Sequence, residues 1–135
     1  NYRQSLEDQA QQVLTTSLQE RSELVAELEK QQQLLLQHDA ELKERQQDGL
    51  TIAEMELFEV PIQHCRRLIA QLVQQLERLE RKIIGEREEL LAKARDRQVM
   101  EKLKEKQNAE YLKELNRKER EILDEISLRN KGDMS

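Results

Sequence analysis

Gln47-Asp48-Gly49-Leu50-Thr51-Ile52-Ala53-Glu54 is the one short stretch in which this sequence stops a helix and starts another. Residues 1–47 hold no Gly or Pro and consist mostly of good helix formers. Gly49 can then take a positive φ at a helix C′ position without steric penalty. Thr51 to Glu54 has the Thr-x-x-Glu spacing of a capping box. Helix stop, Gly and helix start within so few residues predict two helices joined by a turn over about residues 48–50.

Upstream, apolar residues recur at Leu6, Ala10, Val13/Leu14, Leu18, Leu24, Leu28, Leu35 and Leu42, a helical stripe over about residues 1–47. Ser17, Arg21, Gln31, His38 and Arg45 interrupt it. Polar residues at such positions weaken packing but restrict register and partner choice. Downstream, a second helix is expected from about 51 to about 130. Phe58, Ile62, Cys65, Ile69, Leu72, Leu76, Leu79 and Ile83 alternate four and three apart, the 3.5-residue period of a left-handed coiled coil. Pro61 lies within this run, where a missing N–H and a ring clash predict a kink and a short separate helix over 51–59. Past Ile83 the stripe thins to Glu86, Leu90, Ala94 and Arg97. It resumes as Val99/Met100, Leu103, Tyr111, Leu115, Ile122 and Ile126. Pairs such as Glu77–Arg81 and Glu114–Lys118 would support the exposed faces by a few tenths of a kcal/mol each.

The fold class is therefore all-α: an antiparallel two-helix coiled-coil hairpin with a longer second helix, one coiled-coil domain over residues 1–135. Folding about Gly49 places residue n beside residue 98 − n and Asn1 beside Arg97. Residues 98–131 then have no internal partner, an overhang of roughly 50 Å at about 1.5 Å per residue. An apolar stripe on such an overhang predicts a partner from elsewhere.

Composition excludes most other classes. Of the 135 residues, 38% are charged, 36% hydrophobic and only 2% aromatic, with no Trp, one Phe, one Pro and three Gly. A compact core with a pocket is not expected from so few aromatics and turn residues. No internal repeat of 20–50 residues suggests a solenoid. The net charge of −5 is uneven: residues 1–65 carry five basic and thirteen acidic side chains, residues 66–135 eighteen and fifteen. Acidic and basic halves suit each other across a helix–helix seam. The longest central apolar run is Leu34-Leu35-Leu36, far short of a membrane span. A lone cysteine, Cys65, fits a reducing compartment, and with no secretory signal the expected location is cytoplasmic. Because the sequence begins at Asn1, a trimmed N-terminus is expected.

Nothing in the sequence forms a catalytic constellation, and no cofactor or metal is expected. His38 and His64 would come to similar heights in a hairpin but lack a third ligand, and Cys65 belongs to the heptad run. There is no glycine-rich phosphate loop, and the glutamates read as solvated helix faces. From Lys93 to Arg120 ten Lys/Arg are interleaved with six acids. Two readings stand: a solvated face, or a face that docks on an acidic protein surface. Nucleic-acid binding would want a denser patch and stacking aromatics, and a membrane-surface helix would want Trp or Phe. Phe58, beside Met55, Leu57, Val60 and Ile62, is either a plug closing the hairpin or an anchor for a partner.

The turn Gly49-Leu50-Thr51 and the run from Asp96 to Gln107, followed by Glu110-Tyr111, Arg117-Lys118-Glu119 and Leu123-Asp124-Glu125-Ile126, resemble the flagellar export protein family FliJ. The resemblance spans essentially the whole chain. It implies a cytoplasmic, non-catalytic stalk of the flagellar type III export apparatus, peripheral to the inner face of the cell membrane and needed for motility and chemotaxis. Family members are similar in shape to the central stalk of rotary ATP synthases. Their paired helix ends enter the hexameric flagellar export ATPase and promote ring assembly, and the hairpin tip reaches a membrane export-gate protein. Carried onto this sequence, the ATPase-contact residues would be Arg97, Met100, Lys102, Leu103, Lys104, Lys106, Tyr111, Arg117 and Lys118. The gate-contact residues would be Leu57, Phe58, Ile62 and Cys65. Export chaperones are a further class of partner; nucleic acid and direct membrane insertion are not implied. Pro61 departs from the family pattern at the tip, and a short N-terminal segment of the family is absent. Two other readings predict different behaviour: the equivalent stalk of a virulence-type secretion system, and a scaffold or chaperone-like coiled coil that self-associates through the 99–126 stripe.

Overall fold

A computed structural model describes residues 1–133. Two helices account for nearly all of them: α1, Tyr2–Asp48, and α2, Ile52–Asp133, packed against each other as an antiparallel hairpin. The first N–H groups of α1 are met by Asn1, whose side chain accepts from the Arg3 N–H at 3.0 Å and whose carbonyl accepts from the Ser5 N–H. At the other end Gly49 takes φ 91° and ψ 129° and donates its N–H to the Gln46 carbonyl. The positive φ is as expected, but the ψ is extended rather than left-handed helical, so the chain leaves α1 straight into the turn. Thr51 caps α2, its hydroxyl accepting from the Glu54 N–H at 3.2 Å.

Pro61 does not divide α2, which runs unbroken from Ile52 through it; the separate helix over 51–59 is not formed. Proline removes one N–H, the partner of the Leu57 carbonyl, and Leu57 lies on an exposed face where water can take that bond. Phe58, Ile62 and Cys65 hold the helix against α1 on both sides of the proline. The interruption costs a hydrogen bond, not the element.

The seam follows the 3–4 spacing without a slip. On α2 it runs through Phe58, Ile62, Cys65, Ile69, Leu72, Leu76, Leu79, Ile83, Glu86, Leu90 and Arg97 to Met100, all at least half-buried. On α1 it runs through Glu7, Ala10, Leu14, Ser17, Arg21, Leu24, Leu28, Gln31, Leu35, His38 and Leu42. The buried apolar side chains are Ile62, Cys65, Leu72, Leu79 and Ile83, the last with no exposure at all. Each of the leucines and isoleucines contributes about 1.5–3 kcal/mol. All five lie on the tip-ward part of α2.

Register differs from the expectation. Glu7 meets Arg97, Ser17 meets Glu86, Arg21 meets Glu80, and Arg45 lies over Phe58. Residue n therefore faces about residue 103 − n, not 98 − n. The physical reason is the extended Gly49 and the residues Leu50 and Thr51, which move the pivot from Gly49 to near Thr51. Asn1 consequently comes level with about Lys102 instead of Arg97. From Glu101 to Gly132 every residue is exposed. The overhang past Lys102 is about 45 Å of single helix at 1.5 Å per residue.

Candidate functional site

The sequence-expected contact residues lie in two parts of the molecule, the tip and the overhang with its base. At the tip the sequence-expected residues separate. Ile62 and Cys65 are each only 3% exposed, packed into the hairpin's own seam, and have no surface left for a partner. Phe58 is half-buried beneath the Arg45 guanidinium, whose central carbon lies 5.7 Å from the ring centroid. Here the plug reading of Phe58 describes the contact. Leu57 is 73% exposed. Two neighbours not singled out from sequence, Ile52 at 81% and Val60 at 65%, are equally open. These three residues lie on the side of α2 turned away from the seam, because Ile52 and Val60 are eight apart and Leu57 lies between, out of phase with Phe58 and Ile62. That phase difference was the available signal.

At the other end, Arg97 is not free for a partner. Its guanidinium holds Glu7 of α1 through Nε and Nη2, and Glu101 of its own helix through Nη1 at 3.0 Å to both carboxylate oxygens. The hydrogen bond to Glu7, then that to Glu101, raises its pKa above the ordinary arginine value. Arg97 is a clasp between the helices. Met100, half-buried, is the last seam residue.

Lys102, Leu103, Lys104, Lys106, Tyr111, Arg117 and Lys118 are all exposed along the overhang. They do not form one face. Lys102 and Lys106, four apart, share a side; Lys104, between them, points the other way. Lys104, Tyr111 and Lys118 recur at seven-residue intervals on a common side. Arg117 bonds Glu114 and also pairs with Glu121 at 3.6 Å. The Glu114 bond raises the Arg117 pKa and holds the Glu114 carboxyl below its usual range. Glu114 therefore takes Arg117 rather than the expected Lys118, and Arg81 donates to the Glu77 carbonyl rather than to its carboxylate. With no tertiary contact, such i,i+3 and i,i+4 pairs are what supports this part of the helix.

Between the two ends lies a polar layer. Ser17, 2% exposed, donates to Glu86 Oε1 at 2.9 Å, while Glu86 Oε2 is buried without a hydrogen-bond partner. Lys82 approaches the same carboxylate at 3.9 Å. Among the described residues, no group of three or more His, Cys, Asp or Glu is placed to hold a metal ion, and no helix is long and apolar enough to cross a membrane. His38 is half-buried in the seam, whereas His64 is exposed.

A family model described as "Flagellar FliJ protein" matches residues 1–132, nearly the whole chain. No curated protein and no solved structure matches.

Proposed function

This chain belongs to the FliJ family, components of the flagellar export apparatus, and on that premise we propose that it is a non-catalytic stalk that links the export ATPase ring to the membrane export gate. One observation carries the reading. About thirty residues of α2 stand clear of α1, yet they bear an apolar row, Tyr111, Leu115, Ile122 and Ile126, that no part of the hairpin covers. Exposed apolar residues aligned on one side of a helix, even with Lys118 among them, suit a docking site. The overhang, from Lys102 through Lys118 and beyond, is the ATPase-facing end, with Arg97 locking α1 to α2 at its base. The gate-facing end is the outer side of the tip, Ile52, Leu57 and Val60, since Ile62 and Cys65 are consumed by the seam. The membrane association is peripheral, through the gate protein.

The test is steady-state ATP hydrolysis by the cognate flagellar export ATPase with and without this chain, with ring counts by electron microscopy. Stimulation together with more hexameric rings is expected. Unchanged hydrolysis, with the chain sedimenting as a dimer, would favour the self-associating scaffold instead.

A further inference from the structure

Arg95, Lys102, Lys106, Lys113, Arg117 and Arg120 fall within an arc of about 60° on the continuous helix α2, at 3.6 residues per turn. The acids of the same stretch, Asp96, Glu101, Glu105, Glu110, Glu114 and Glu119, all fall outside that arc. Along the sequence the two signs alternate; around the helix they separate. All six cations are exposed, and Arg95, Lys102, Lys106, Lys113 and Arg120 have no ion-pair partner among the described residues. Arg21, Lys82, Lys93 and Arg97 each hold a carboxylate, but most other cations among the described residues, Arg66, Arg67 and Arg78 included, are unpaired as well, so it is the grouping on one side that sets the row apart. Of the six, only Arg117 is paired, to acids at the margin of the arc.

The spacing of this basic row matches that of the apolar one. Lys102, Lys106, Lys113 and Arg117 are 4, 7 and 4 residues apart, as are Tyr111, Leu115, Ile122 and Ile126. The two sets are offset by nine residues, about two and a half turns, which puts them on opposite sides of the helix. Both follow an 11-residue repeat. At about 3.67 residues per turn such a row drifts slowly in the right-handed sense, whereas the 3.5-residue seam of the hairpin winds left-handed.

We infer that the basic row docks on an acidic protein surface, a file of carboxylates running along the helix. This rests on the reading of the overhang as the ring-docking end and adds the chemistry of the wall it meets. An anionic membrane fits less well: Glu101 and Glu119 border the apolar row and would be forced into the lipid interface. Nucleic acid fits less well too, because the one aromatic of the overhang, Tyr111, lies on the side away from the cations, where it cannot stack on a bound strand.

The test titrates the whole 135-residue chain, labelled at its N-terminus, with poly-L-glutamate at low salt, read by fluorescence anisotropy. K102E/K106E/K113E should weaken binding about tenfold or more, and K104E/K118E, on the apolar side, about threefold or less. The neutral variant K102Q/K106Q/K113Q, with helix content checked by circular dichroism, should fall between them. Equal losses from the two charge-reversed variants would overturn the inference. So would tighter binding to phosphatidylserine vesicles or duplex DNA than to polyglutamate. In the ATP hydrolysis assay, full stimulation by K102E/K106E/K113E would overturn the basic row while leaving the stalk standing. Polyglutamate binding lost in that variant, with no stimulation even by the wild-type chain, would uphold the row and remove the stalk.

Discussion

Ser17 and Glu86 put a hydroxyl and a carboxylate into a seam whose apolar positions are mostly leucine and isoleucine. One carboxylate oxygen is bonded and the other is buried without a partner. A buried charge with half its hydrogen bonds missing destabilises, and removing its one good donor makes matters worse. Ser17→Ala alone should therefore cost about 1–3 kcal/mol. Replacing both, Ser17→Ala with Glu86→Leu, should raise stability by about 1 kcal/mol or more over wild type. Urea denaturation of the two variants checks the opposite signs; a double variant weaker than the single one would mean that the polar layer is itself stabilising. Individual residues were only partly legible in the sequence. Glu86 and Arg97 could be read as gaps in the heptad run, but not that Arg97 would meet Glu7 or that Glu86 would find Ser17, because those depend on register.

Pro61 tests how much of α2 is held by local preference and how much by the seam. Its ring removes an N–H from the helix interior, and the helix nevertheless continues, so packing by Phe58, Ile62 and Cys65 must outweigh the local penalty. Pro61→Ala should accordingly stabilise the hairpin by about 1–3 kcal/mol, measured as a rise in thermal midpoint. A lower midpoint would show that the seam has adapted to the proline. The helices, the Thr51 cap of α2 and the 3–4 seam were readable from residue type and spacing; the Asn1 cap of α1 was not read. The split at Pro61 was not, because a propensity is a local quantity and the seam that overrides it is not. The heptad run also contained the answer for Ile62 and Cys65: residues in phase with Leu72 and Leu79 belong to the hairpin, and those out of phase, such as Leu57 and Val60, are left exposed.

For the whole molecule the decisive quantity is the pivot. Three turn residues moved the pairing by about five positions, too fine a shift for a sequence to declare when the loop's φ and ψ are unknown. That shift moves Arg97 from a place beside Asn1 to one beside Glu7, where it forms the clasp. It also means that no part of α1 touches the chain beyond Lys102, so ending the chain there should leave the thermal midpoint unchanged within about 5 °C, the equivalent of roughly 1 kcal/mol for a protein of this size. Circular dichroism would register a smaller helical signal with the same transition. A larger fall would reveal that the overhang folds back on the hairpin.

The unequal lengths of α1 and α2 also set the mechanics of the rod. Over the paired stretch two helices are coupled side by side, and a load must shear one along the other before the rod can bend. Past Lys102 a single helix, about half as thick, carries the same load with no such brace. Bending stiffness rises steeply with thickness, so the two parts behave as a stiff spring and a soft one in series. Displacement imposed between the ends is taken up mostly in the overhang, while the hairpin hands force from one end to the other with little loss. The compliance of the molecule is therefore concentrated in the segment that carries the basic and apolar rows.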